Sequence, residues 1–157
     1  MQNSWMIRAG NNGMYVNDFL ISRIIGIECK FVEIVEKKLS IEEIYKLYTI
    51  AEPIMKARNK VTQINRFVNL VKIGDIVLCY LAKKRIYYIG IVESDVFWKP
   101  DLFPPLSCYR QVKWENEISR DDIKSRRLAS LGVPMTIFGV NPEINKIILE
   151  NARPINR

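Results

Sequence analysis

Whatever chemistry this 157-residue chain does, it does without histidine, of which it has none. That removes His-based general acid–base catalysis, Ser-His-Asp and Cys-His nucleophiles, HNH-type nucleases and most zinc sites. The three cysteines, Cys29, Cys79 and Cys108, are too few and too scattered for a disulfide framework or a Cys-X-X-Cys metal site. They read as buried or free thiols of a cytoplasmic protein. No Gly-X4-Gly-Lys-Ser/Thr loop is present to cradle a triphosphate. Positive charge, side-chain amides and aromatic rings remain. Between Pro53 and Val92 lie Lys56, Arg58, Lys60, Arg66, Lys72, Lys83, Lys84 and Arg85, opposed by Asp75 alone, and they carry the whole net charge of +7. A basic surface concentrated in this way is the footprint of a polyanion binder. The plainer alternative is a solvated lysine-rich face.

Several side chains could work with that charge. Arg8 ends an apolar run and is followed at once by Gly10 and Gly13. It is a candidate phosphate or base-edge contact, with glycines that let a nucleic-acid backbone come close. Gln63 and Asn65 fall off the apolar stripe of their helix, and their amides suit a base edge or a phosphate as well as plain surface. Lys83-Lys84-Arg85 is a candidate phosphate clamp at a hairpin tip, or simple edge protection. Tyr80 and Tyr88 are candidate pocket walls or core. Trp98, beside Phe97 in a proline-rich loop, is a candidate wedge or pocket cap. Asp18 with Glu36-Lys37-Lys38 formally satisfies an Asp…Glu-X-Lys nuclease pattern, but such matches arise by chance in any basic chain. The expectation is a binding module, not an enzyme, with no cofactor or metal.

The elements that must position these residues follow from local pattern. Trp5 to Arg8 reads as a strand, Asn17 as the cap of a short helix over 18–23, and Ile24 to Ile27 as a second strand. Ser40-Ile41-Glu42-Glu43 is a capping box opening a helix that Pro53 interrupts. Val61, Ile64, Phe67, Val68 and Val71 form the stripe of another helix, stopped by Gly74. A hairpin joins 75–81 to 86–93, a strand follows over 107–114, and Ser119 looks like a helix start. A last strand over 135–140 precedes a helix capped by Asn141-Pro142 and reaching about Asn151. Short strands with helices between them predict an α+β fold, a small barrel in place of βαβ units. One domain over 1–150 is expected, with 151–157 starting a linker. No apolar run approaches the roughly 18 residues of a membrane span.

Trp5-Met6-Ile7-Arg8-Ala9-Gly10, Phe19-Leu20 and Ile24-Ile25-Gly26-Ile27 occur in order with Arg66-Phe67-Val68-Asn69 and Lys72-Ile73-Gly74-Asp75-Ile76-Val77. Tyr87-Tyr88-Ile89-Gly90 and Val112-Lys113-Trp114 complete the set. Together they resemble the N-terminal DNA-reading domains of Mrr- and McrBC-type modification-dependent restriction systems, a PUA-superfamily pattern near the EVE and YTH branches. The resemblance implies a PUA-like β-barrel whose aromatic pocket receives one flipped, modified base. It also implies DNA as partner and a downstream motor or nuclease. Where the related sequences carry a tryptophan after the Ile-Gly, this chain has Cys29; either Phe31 supplies the ring or other aromatics do. A modified-RNA reader and a protein-interaction module are the alternatives. Extruding a base costs a few kcal/mol, and stacking it regains about 1–3 kcal/mol. A methyl group in an apolar pocket adds about 1 kcal/mol. Net affinity must therefore lean on phosphate contacts from the Lys56–Arg85 region.

Overall fold

The computed structural model describes residues 2–123, 131 and 135–156. Strand β1 (Ser4–Ile7) is buried along its whole length because it serves two cores. Trp5 and Ile7 enter a large cluster with Phe19, Ile64, Phe67 and Trp114, whereas Met6 enters a second with Leu78, Ile144 and Ile148. Alternate strand residues face opposite sides, so a strand without an exposed position must be covered on both. Strand β3 (Ile76–Leu81) repeats the pattern, with Val77 and Cys79 in the first cluster and Ile76 and Leu78 in the second.

Between these two strands come α1 (Val16–Ser22), β2 (Ile24–Ile27), the single turn α2 (Glu33–Glu36), α3 (Ile41–Ala51) and α4 (Ile54–Asn65). After β3 follow β4 (Ile86–Val92), β5 (Phe97–Trp98), β6 (Cys108–Ser119), β7 (Ile137–Gly139), α5 (Pro142–Asn151) and β8 (Arg153–Pro154). The sheet runs β2-β6-β4-β3-β1-β7, with β5 and β8 paired to β6. The β1–β3 pair is parallel. Strand β6 crosses between two partners: residues 108–111 lie against β2 and 112–119 against β4, with a slip opposite Ile89 and Gly90. Such a slip bends the strand and increases its twist. The product is the expected α+β fold, a mixed six-strand half-barrel with helices between the strands. It stays open, since β2 and β7 end the path and do not pair among the described residues.

Local signals behave largely as expected. Ser40 Oγ accepts from the Glu43 amide while Glu43 Oε1 accepts from the Ser40 amide, the reciprocal cap of α3. Asn141 Oδ1 accepts from the Glu143 amide at the start of α5. Four differences have physical causes. Helix α1 begins before Asn17, which makes no cap bond there. Pro53 begins α4 as well as ending α3, so α4 starts well before Val61. Its first turns bury only Ala57 and expose Ile54 and Met55, so no apolar stripe marks them. Ser119 ends the long β6 and caps a 3-10 turn over Arg120–Asp122. Finally, the tail read as a linker start lies against β6, with Arg153 opposite Glu117 and the Asn156 amide donating to Glu117 Oε1.

Candidate nucleic-acid interface

The open side of the half-barrel holds a cleft of about 680 Å³. Both ends of the sheet contribute to it: Gly26 and Ile27 from β2, and Met135 and Thr136 just before β7. Arg8 and Gly10 enter from the turn after β1, Asn59, Lys60, Gln63 and Ile64 from α4, and Pro105 and Leu106 from the segment before β6. The position follows from topology. A ring that failed to close leaves a gap between its edge strands, and α4 covers that gap without filling it.

The turn after β1 is built for packing. Gly10 has φ 74°, ψ −174°, a region essentially confined to glycine. A Cβ there would stand 2.6 Å from Met14 Cγ and from the Tyr15 ring. The missing side chain therefore makes room for Tyr15, not for an approaching backbone as expected. At Gly13, with φ 76°, a Cβ would stand 2.6 Å from the Tyr80 carbonyl oxygen, so the hairpin occupies that space. Tyr15 lines the cleft half-buried, 6.4 Å from the Phe19 ring. Tyr48 lines it from α3 while only 2% exposed, and its hydroxyl accepts from the Lys30 amide. Burial pushes that hydroxyl above its ordinary value, so it stays protonated at neutral pH.

Arg8, Lys30 and Lys60 line the cleft against one lining carboxylate, Glu28. Behind them Glu52, in the α3–α4 corner, gathers both lysines: Lys60 Nζ and Lys30 Nζ donate to the same Oε1 atom. Its Oε2 is buried with no partner among the described residues. The Lys60 and Lys30 ammonium groups hold the Glu52 carboxyl below the usual carboxylate range. Ser107 Oγ accepts from the Cys29 amide and donates to the Cys29 carbonyl, fixing the turn that presents Glu28 and Lys30.

The expected site residues divide. Arg8, Gly10, Lys60 and Gln63 line the cleft. Gln63 also has a fold role, its Oε1 accepting from the Ile137 amide at 2.8 Å, while its Nε2 has no partner among the described residues. Arg66 does not line the cleft; its Nη1 donates to the Ile137 carbonyl at 2.9 Å and so clasps β7. Asn65 Oδ1 accepts from Asn69, whose amide also donates to the Leu39 carbonyl, making a bracket inside the fold. Cys29 is buried at 3% exposure, and Phe31 packs edge-on to Tyr48 at 5.1 Å; neither lines the cleft. Tyr88 is core. Trp98 pairs through β5 with Cys108 and packs on the large core, so it does not stand out as a wedge. Tyr80 lines a separate hollow with Tyr87. At the hairpin tip Lys83 and Lys84 are exposed, whereas Arg85 donates through Nε and Nη2 to Asp121 Oδ1. That pairing neutralises one of the three expected tip cations. Of the eight cations, Lys56, Arg58 and Lys60 lie on α4, Arg66 just after it, Lys72 before β3 and Lys83, Lys84 and Arg85 at the hairpin tip; of these, Lys60 lines the cleft.

Sequence reasoning missed Tyr15, Lys30, Asn59 and the cleft-facing part of Tyr48. Tyr15 stood in plain view two residues after Gly13. Tyr48 sat at a core position of its helix, where nothing in the pattern separates a pocket floor from filler. Among the described residues no group of three or more His, Cys, Asp or Glu could hold a metal ion.

No curated protein matches the chain. A hypothetical protein from Leishmania major is similar in structure at 11% identity and a TM-score of 0.48, over 96% of this chain and 94% of that one. Protein Atu2648 from Agrobacterium tumefaciens is similar at 15% identity and a TM-score of 0.44, over 95% of this chain and 92% of that one. Residues 10–140 match a family described as a domain of unknown function (DUF8426), and the chain belongs to that family.

Proposed function

We propose that this protein reads a modified base in DNA, taking the extruded nucleotide into the cleft on the open side of the half-barrel. It acts as the specificity module of a modification-dependent restriction system whose motor or nuclease is a separate unit. One observation carries the reading. A cleft of about 680 Å³ combines an apolar floor of Ile27, Ile64 and Leu106, a tyrosine wall at Tyr15 and three lining cations. That volume lies within the roughly 300–1,000 Å³ of small-ligand sites. An apolar surface with one ring suits a base face, the Gln63 amide suits its edge, and the cations suit the flanking phosphates. The resemblance of the ordered motifs from Trp5 to Trp114 supports DNA as the polymer.

The energetics predict weak binding. Extrusion costs a few kcal/mol and stacking on Tyr15 regains about 1–3 kcal/mol. The remainder comes from phosphate contacts, each of which steepens the slope of log affinity against log salt by about 0.9. The test is a panel of otherwise identical duplexes carrying cytosine, 5-methylcytosine, 5-hydroxymethylcytosine, adenine or N6-methyladenine at one position, at two salt concentrations. One modified duplex should bind at least tenfold tighter than its unmodified parent, and Tyr15→Ala should remove most of that preference. Equal binding of every duplex, unchanged by Tyr15→Ala, would refute the reading. Tighter binding of the same modified base in RNA would move the function to RNA.

A further inference from the structure

Beside the cleft lies a second hollow of about 190 Å³, which shares Arg8, Gly10 and Met135 with it. This volume is well below the roughly 300–1,000 Å³ that holds a whole small ligand. It suits a single group. Arg120, from the 3-10 turn after β6, lines it together with Arg8 and Gly10 of the turn after β1. Neither Arg8 nor Arg120 has a carboxylate partner among the described residues. The neighbouring Asp121 is occupied by Arg85. Arg120 is nevertheless held in place. Its backbone amide donates to the Arg85 carbonyl at 2.8 Å, and its guanidinium lies 5.9 Å from the Tyr80 ring, which in turn packs 4.6 Å from Tyr87. The rings are thus engaged with each other and with the arginine, so the hollow offers charge more than a stacking face.

We propose that this hollow is a phosphate clamp in which Arg8 and Arg120 hold the backbone phosphate next to the nucleotide occupying the cleft. The assignment rests on the base-reading proposal for its polymer, but not for its anion chemistry. Arginine suits the task because its planar fork meets phosphate oxygens with two parallel donors. Arg8, lining both spaces, stands where a nucleotide and its own phosphate would join. Arg120 was not among the basic residues that the charge pattern singles out, because it lies outside Pro53–Val92.

Two measurements on the full chain separate the possibilities. Inorganic phosphate is titrated at low ionic strength while the arginine Nε–Hε signals are followed by NMR. Arg8 and Arg120 should shift together and saturably, whereas Arg58, exposed on α4, should move only in proportion to salt. Arg120→Gln should weaken the Arg8 response at least fivefold, and Arg120→Lys should restore only part of it. Next, the best duplex of the panel is made with an uncharged methylphosphonate at each phosphate flanking the modified base. One position should cost about tenfold in affinity for the wild type and less than twofold for Arg120→Gln. Arg8 and Arg120 shifting no more than Arg58 would overturn the clamp. So would a specific duplex with no flanking phosphate coupled to Arg120. If phosphate binds at the hollow but no duplex is preferred, the clamp stands and the base-reading proposal falls.

Discussion

Replacing Arg110 by methionine should destabilise the fold by about 3–5 kcal/mol. Arg110 lies on β6 opposite Ile25 of β2 and is only 3% exposed. Its Nε donates to the Phe67 carbonyl at 2.9 Å, its Nη2 to Val68 at 3.2 Å and its Nη1 to Ser94 at 3.1 Å. Two of those carbonyls belong to the π-helical turn over Arg66–Leu70 that ends α4, where helix carbonyls lose their internal partners. A cation there also meets the negative end of the helix dipole. Burial holds the Arg110 pKa below its ordinary value, but an arginine remains charged all the same. Methionine keeps a similar length and orphans all three carbonyls, at roughly 1–3 kcal/mol each. Relief from burying an unpaired cation offsets part of that sum. At about 2–4 °C per kcal/mol for a chain of this size, Tm should fall by about 6–20 °C. Urea unfolding with an unchanged m-value is the assay, supported by faster amide exchange over 66–70. A loss below about 1 kcal/mol would show that the carbonyls find other donors and that Arg110 is not the clamp on α4.

Three further outcomes follow from the geometry. Asp75 Oδ2 accepts from Trp5 Nε1 and the Lys72 amide, and its Oδ1 from the Asn3 amide, so Asp75→Ala should cost about 2–4 kcal/mol in urea unfolding. Gly10→Ala places a Cβ against Tyr15 at a glycine-only conformation, so it should cost about 1–3 kcal/mol and weaken duplex binding as Tyr15 moves. The Glu52 carboxyl, lowered by Lys60 and Lys30, should titrate in an NMR pH series below the free glutamate value of about 4.3. Because the folded value is the depressed one, its stabilising contribution is present above the unfolded pKa and is lost as pH falls through the folded pKa. Glu52→Gln should abolish that loss, release both lysines and steepen the salt dependence of duplex binding.

Much of the local structure was legible in the sequence. The Ser40–Glu43 cap, the Asn141-Pro142 start of α5 and the hairpin around Lys83–Arg85 all depend on interactions within a few residues, which the chain carries wherever it folds. The confinement of the net charge to Pro53–Val92 was equally plain. Only the tertiary structure decided what each polar group is for. Gln63, Asn65 and Arg66 are near neighbours in sequence and similar in kind, yet only Gln63 lines the cleft, while Asn65 braces Asn69 and Arg66 clasps β7 across 71 residues. The cleft itself joins segments from Arg8 to Thr136, because it exists only where the two edge strands fail to meet. Periodicity reports which side of an element is apolar. It does not report which distant element will cover that side, and that choice separates a pocket wall from core.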